Sequence, residues 1–326
     1  MKLHQNIDLF KEAITITSQR LNIPEIYIEK DYWVTLALHT IFNNVIGSET
    51  VFKGGTALSK CFGLIERFSE DIDLVVLRRE NESGNQLKNK LKKITKVVAE
   101  QLEEVEVKGI THKMGMIRKI AYNYNKQFKG EFGQVRDVII VEATWLGRYE
   151  PYHNQNIHSY IYEMMKATKQ LKIAEEYDMV PFEVQVLDVR RTICEKIMSL
   201  VRFSYGENAI QDLKNKVRHT YDVHQLLKDD DILSFFKSTD FDKMLLAVGQ
   251  DDVESFKTDN SWLAHHPKDA LIFCDLENVW NDLKETYNKS FKNLVFGELP
   301  KDSDVLLSLQ GVAKRLEEVE WEVKLK

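Results

Sequence analysis

Glycine and proline are scarce in this sequence, at 14 and 5 of 326 residues, which disfavours an all-β architecture with many tight turns and favours one rich in helices. Cysteine is scarcer still. Cys61, Cys194 and Cys274 are odd in number, far apart and set in apolar helical patterns, so they predict small buried hydrophobes, not a disulfide frame or a zinc knuckle. No run approaches the ~20 consecutive apolar residues that a membrane span needs. The N-terminus also lacks the apolar core and small-residue cleavage site of a signal peptide. A cytoplasmic protein without a membrane partner is expected. Basic charge is not in excess either. The formal net charge of −6 speaks against a surface coated throughout for nucleic acid, although clustered Lys and Arg can still form a local basic groove.

The composition that remains is that of a globular protein, with 43% apolar and 29% charged residues. The length suits one large domain or two modest ones. Residues 6–46 read as helical throughout, with Leu9, Phe10, Ala13 and Ile14 on one face. A short strand, Thr50 to Phe52, runs into a glycine pair, a helical pattern covers Thr56 to Arg67, and an apolar β-branched strand covers Ile72 to Leu77. A lysine-studded amphipathic helix is predicted over 86–104, followed by strands over Gly109 to Ile120, Ala121 to Phe128 and Val135 to Trp145. From Asp188 onward the pattern is helical again. The expected division is a domain over 1–185 and a helical C-terminal domain over 186–326, with Trp262, Trp280 and Tyr287 in the core of the latter.

Chemistry concentrates in one spacing. Gly54-Gly55-Thr56 sits at a strand-to-helix junction, and Asp71-Ile72-Asp73 opens the next strand. Glycines let backbone N–H groups approach a phosphate closely, and Thr56 can cap the helix or touch a phosphate oxygen. Residues i and i+2 on a strand share a face, so Asp71 and Asp73 can jointly hold a hard divalent cation. A tight turn without a ligand and a solvated strand entry are the bland alternatives for the two parts. Their combination one helix apart is more specific, because a cation is the usual reason for two carboxylates to be tolerated on one face.

The block FKGGTALSKCFGLIERFSEDIDLVV resembles the first motif of the AbiEii/AbiGii toxin family of nucleotidyltransferases, MenT-like toxins included, in the DNA polymerase β-like superfamily. The upstream IEKDYWV, the stretch from Leu187-Asp188 to Glu195-Lys196-Ile197, and Arg218-His219-Thr220-Tyr221-Asp222-Val223 resemble further pieces of that family, in order over about residues 20 to 225. One departure is His219, which stands where the family often has an acidic residue. The resemblance implies an α+β fold, a polymerase-β-like core with a small mixed sheet, an N-terminal helical cap and a helical C-terminal half. It implies transfer of a nucleotide from an NTP to an acceptor hydroxyl with release of pyrophosphate. The setting would be a bacterial type IV toxin–antitoxin or abortive-infection system, with a tRNA 3′ end as preferred acceptor and a cognate antitoxin as partner. Acceptors on a protein or small molecule, or a non-catalytic nucleotide-binding regulator, are the alternatives.

On that reading Asp71 and Asp73 hold Mg2+, or Mn2+ in its place, and Gly54, Gly55 and Thr56 cradle the phosphates. The third carboxylate that the superfamily presents, as metal ligand or base, is assigned to Glu142, which shares a strand face with Ile140 and Thr144; a salt bridge or an edge-strand position is the competing reading. A lysine on a helix is ordinarily solvated, but the resemblance gives Lys196 a role in neutralising the leaving group. Arg218 and Asp222, four residues apart on one helical turn, either orient Lys196 or the base pocket, or form a plain structural ion pair. Lys88, Lys90, Lys92, Lys93 and Lys96 could guide an RNA backbone, as could Arg78, Arg79, Arg118, Lys119, Lys166, Lys169 and Lys172, with a solvated face as the commoner explanation.

Overall fold

The computed structural model describes residues 1–69, 71–130, 136–257 and 259–325. The chain divides into two compact units. One comprises 1–63, 68–145 and 152–186; the other comprises 64–67, 146–151 and 187–326. The fold is α+β, as expected, and no helix among the described residues is long and apolar enough to cross a membrane.

The first unit opens with α1 (Ile7–Leu21) and α2 (Glu25–Phe42). These are two helices where one continuous pattern was expected. Asn6 caps α1 by accepting from Leu9 N–H, and Asn22 ends it in the left-handed region at φ 54°. Pro24 then stands at the N-cap of α2, where its missing N–H costs nothing. Next come β1 (Thr50–Lys53), α3 (Gly54–Lys60), β2 (Asp71–Val76), α4 (Gly84–Ala99), β3 (Glu103–Val105), β4 (Ile117–Asn123), β5 (Ile139–Thr144), β6 (Tyr152–Ile157), α5 (Tyr160–Ala167), α6 (Leu171–Glu176) and β7 (Phe182–Leu187). The helix predicted to reach Arg67 stops at Lys60, and the two strands predicted between 109 and 128 reduce to β4. β6 and β7 had no counterpart in the sequence reading. Val135, the predicted start of the next strand, lies outside the described residues.

The strands form one mixed sheet in the order β3-β4-β5-β2-β1-β7-β6. β1 and β2 are antiparallel, β2 and β5 parallel, and β4 and β5 antiparallel. The central strands β2 and β5 are apolar because both faces are covered for most of their length: Ile72, Leu74, Val75, Val76, Ile139, Ile140, Val141 and Ala143 are all buried. A capping box between Ser83 and Gln86 starts α4. That helix lies on the sheet face of Arg118 and Tyr122, where Arg118 Nε donates to Thr95 Oγ1 at 2.8 Å and Tyr122 Oη donates to the Thr95 carbonyl at 2.7 Å.

Three consecutive charges on α2 fasten the surrounding loops. The Glu29 carboxylate accepts from the N–H groups of Gln127 and Phe128, at 2.7 and 3.1 Å. Lys30 Nζ donates to the Arg136 carbonyl. Asp31 accepts from Lys60 Nζ at 2.6 Å and from Tyr160 N–H at 2.9 Å, which ties the last turn of α3 and the start of α5 to α2.

The second unit is helical: α7 (Val189–Phe203), α8 (Ala209–Asn215), α9 (Val217–Leu226), α10 (Asp230–Phe236), α11 (Thr239–Ser255), α12 (Leu271–Cys274), α13 (Leu276–Asn288) and α14 (Asp302–Leu316). Trp262, Trp280 and Tyr287 are buried in it, as their spacing predicts. Of the cysteines only Cys194 is fully buried. Cys61 is half-buried and Cys274 exposed, because the latter ends a one-turn helix whose other side carries the apolar residues.

Removing one member of a nearly buried ion pair leaves the other charge uncompensated. Asp31→Ala is therefore expected to destabilise the first unit by roughly 3–5 kcal/mol. A loss under about 1 kcal/mol in urea unfolding would mean that the pair behaves as a solvated one.

Candidate active site

Gly54 begins α3 with φ +81°, and a Cβ at that position would run into the carboxylate of Asp73. Glycine is thus required twice over, for the left-handed backbone and for the close approach of the carboxylate. Thr56 neither caps α3 nor points its hydroxyl proton at open space. Its Oγ1 donates to the Asp71 carbonyl at 2.6 Å and fixes the first residue of β2 against the glycine turn.

Asp71 and Asp73 share one face of β2. In register with Asp73 stand Lys53 on β1 and Glu142 on β5, and in register with Glu142 stands Lys119 on β4. Directly paired residues project to the same face, so the row across the sheet reads Lys53, Asp73, Glu142, Lys119. Asp71 lies one pleat away. This face is opposite the one that α4 covers, since Lys119 alternates with Arg118 and Ile120.

The carboxylates are held unequally. Glu142 Oε2 accepts from Lys119 Nζ at 2.8 Å. Burial alone would lower the Lys119 ammonium, but Glu142, with Asp71 and Asp73 beyond it, raises it above its ordinary value. Asp71 Oδ1 is buried without a hydrogen-bond partner, and the Arg136 guanidinium stands 3.9 Å from it. A buried carboxylate oxygen without a donor is costly unless a ligand satisfies it. The pair Asp71 and Asp73 therefore fits a hard cation that takes few protein ligands and fills the rest with water and phosphate. Among the described residues no group of three or more His, Cys, Asp or Glu side chains is arranged to hold a metal. Glu142 lies beside Asp73, but Lys119 takes up one oxygen of its carboxylate, Oε2.

The remaining sequence candidates meet in the second unit. Asp222 is fully buried and uses both oxygens: Oδ1 accepts from Arg67 Nε at 2.6 Å, and Oδ2 accepts from Arg67 Nη2 at 2.7 Å and Lys196 Nζ at 2.6 Å. Burial would raise its carboxyl, but Arg67 and Lys196 outweigh that and hold it far below the usual carboxylate range. Burial pulls the Lys196 ammonium down. Arg218 is not the partner of Asp222 that the four-residue spacing suggested; Arg67, 155 positions earlier, takes that place, and Arg218 has no ion-pair partner among the described residues. His219 has a buried Nδ1 without a partner, and burial with the nearby Lys196 and Arg218 keeps its ring neutral. A neutral ring here adds no further positive charge beside Lys196 and Arg218.

Sequence reasoning did not find Arg67, Asp31 or Lys60, and it placed Lys119 only among possible RNA contacts. Lys119 had a signal, since a basic residue one strand from a carboxylate on the same face is a cross-strand pair once register is known. Arg67 had none, because its partner is remote in sequence.

A family model described as nucleotidyl transferase AbiEii toxin, type IV toxin–antitoxin system, matches residues 37–309. The match runs past the last motif quoted above, into α14, and begins after Ile28 to Val34, which lie outside it. None of the curated proteins matches the chain. The solved structure of MenT4, a nucleotidyltransferase toxin from Mycobacterium tuberculosis H37Rv, is similar with 16% identity and a TM-score of 0.46, covering 91% of this chain and 98% of that one.

Gly54→Ala carries both left-handed strain, about 1–2 kcal/mol, and a collision with Asp73. Gly63, also left-handed at φ +64°, has open space around its Cα, so Gly63→Ala carries the strain alone. Thermal unfolding is expected to rank Gly54→Ala clearly below Gly63→Ala, and equal losses would remove the close approach from the argument. Asp222→Ala leaves Arg67 and Lys196 buried without their anion, an expected loss of roughly 3–5 kcal/mol. Because its carboxyl is depressed in the folded state, the stability that Asp222 contributes is full above the ordinary carboxylate pKa of ~4 and is lost as the pH falls below it. Acid unfolding of Asp222→Asn should accordingly lose part of the steepness that the parent shows there.

Proposed function

The chain belongs to the AbiEii family of nucleotidyltransferase toxins of type IV toxin–antitoxin systems, and from that premise we propose that Asp71 and Asp73 hold Mg2+ for transfer of a nucleotide to an RNA hydroxyl, a tRNA 3′ end by preference. Membership of the family carries with it an NTP substrate, divalent-metal chemistry of some kind and a cognate antitoxin. The observation that carries the finer reading is the buried, donor-free Oδ1 of Asp71 on the same strand face as Asp73. Bound Mg2+ would supply Lewis acidity at the α-phosphate and ease deprotonation of the attacking hydroxyl.

The chain's own residues prepare that chemistry. Gly54 lets Asp73 approach the turn, Thr56 pins the start of β2, and the backbone of Gly54 and Gly55 would hold the phosphates. The acceptor hydroxyl gives up its proton to solvent, its oxygen forms a new bond to the α-phosphorus, and the bond to the bridging oxygen of pyrophosphate breaks. In the second unit Asp222 is a positioning residue that fixes Lys196, and Arg218, half-exposed and without an ion-pair partner among the described residues, is the cation available there to an anionic group.

A polyanionic acceptor is supported by the outer face of α4. Lys88, Lys92, Lys93 and Lys96 are exposed there, and none has an ion-pair partner among the described residues. Lys90 differs: it is buried and bonds the Leu77 carbonyl and Glu82. Because α4 covers the face opposite the carboxylates, these lysines suit the body of an RNA and not its reacting end.

Incubation with labelled NTPs, Mg2+ and total RNA tests the reading. Label is expected in the tRNA fraction, falling at least about a hundredfold in Asp71→Asn and Asp73→Asn, the scale of a lost electrostatic contact in a transition state. Label on protein, or undiminished transfer by Asp71→Asn, overturns it.

A further inference from the structure

The cross-strand row places a lysine where a third metal-binding carboxylate would need to be free. Lys119 and Glu142 are direct partners between β4 and β5, so register places the two side chains next to each other. Their contact is 2.8 Å, with side chains only 28% and 32% exposed, so water screens the pair incompletely. On the far side of Glu142 stands Asp73, also in register. Lys119 thus offsets the repulsion between neighbouring carboxylates, which is the task a second cation would otherwise perform. An ammonium and a divalent metal cannot both bind Glu142 Oε2 without strong repulsion between them at close range. The absence of any three-residue metal cluster among the described residues agrees with this.

We propose that Lys119 is a built-in counter-ion that competes with divalent metal for Glu142, so that the nucleotide-free protein holds metal on Asp71 and Asp73 alone and Glu142 joins only when Lys119 is released. The inference rests on the reading of Asp71 and Asp73 as the metal's ligands. Its consequence is that free metal binds weakly, and the full carboxylate set assembles only when another anion, such as a triphosphate, draws the ammonium away. Lys119 is on this view a positioning residue, acting through Glu142.

The test is Mn2+ binding to the nucleotide-free full chain, read by electron paramagnetic resonance of free Mn2+, for wild type, Lys119→Met, Glu142→Gln and the double variant. Lys119→Met is expected to tighten Mn2+ binding about tenfold, on the order of 1.4 kcal/mol. Glu142→Gln alone should change it less than about twofold, since the carboxylate it removes is not a ligand in that state, and the double variant should return to the wild-type value. Lys119→Gln, which keeps hydrogen-bond donors without the charge, replaces Lys119→Met if the latter does not fold. An unchanged or weaker affinity in the Lys119 variant overturns the proposal. So does a gain that persists in the double variant, because removal of distant positive charge would then explain it. Binding by wild type without a gain in Lys119→Met removes this inference alone, whereas no Mn2+ binding by any of the four removes the metal reading as well.

Discussion

The constraint on which the first unit turns is negative charge in a place with little water. Asp71, Asp73 and Glu142 occupy one face of adjacent central strands whose other residues are almost all buried. Three carboxylates so placed repel one another, and the sheet answers with basic residues in register on both sides, Lys53 and Lys119. The answer is incomplete at one atom, Asp71 Oδ1. Much of the neighbourhood fixes how that atom is presented: Thr56 holds the backbone of Asp71, Gly54 yields space to Asp73, and Lys30 holds the Arg136 carbonyl while the guanidinium of the same residue faces Asp71.

The second unit solves a related problem in the opposite way. There a single fully buried carboxylate meets two cations, and both of its oxygens are used. A buried carboxylate with donors on both oxygens favours one arrangement of the helices around it, although His219 Nδ1 nearby is left without a partner. The two carboxylates thus differ in one respect: both oxygens of Asp222 have donors, whereas Asp71 Oδ1 has none.

Much of this was legible in the sequence. The apolar run Val138 to Val141 gave a buried strand, and the spacing of Gly54, Asp71 and Asp73 gave the turn, the helix and the strand that carry the carboxylates. Glu142 was assigned from the family resemblance, with strand alternation in support, and does stand in register with Asp73. Partnership was not legible. Period and spacing say which residues share a face of one element, but Lys119 reaches Glu142 across a strand pair whose register is set by the whole sheet. Arg67 displaced Arg218 as the partner of Asp222 because contacts between remote segments leave no local pattern. The overlong helical readings, from 6 to 46 and from 56 to 67, failed where Asn22, Pro24 and the end of α3 stop a helix whose apolar spacing continues.

Arg67 also sets an order of events on the ribosome. It lies between the glycine turn and the carboxylate strand, yet its ion-pair partner is 155 residues downstream, and its backbone forms a bridge to Val295. Neither contact can exist until those residues have been synthesised and have left the exit tunnel. A nascent chain therefore carries the complete glycine and aspartate motifs long before the segment joining them is anchored. A chain cut short before Asp222 would never anchor it at all, so the N-terminal half is not a cassette that can be excised intact.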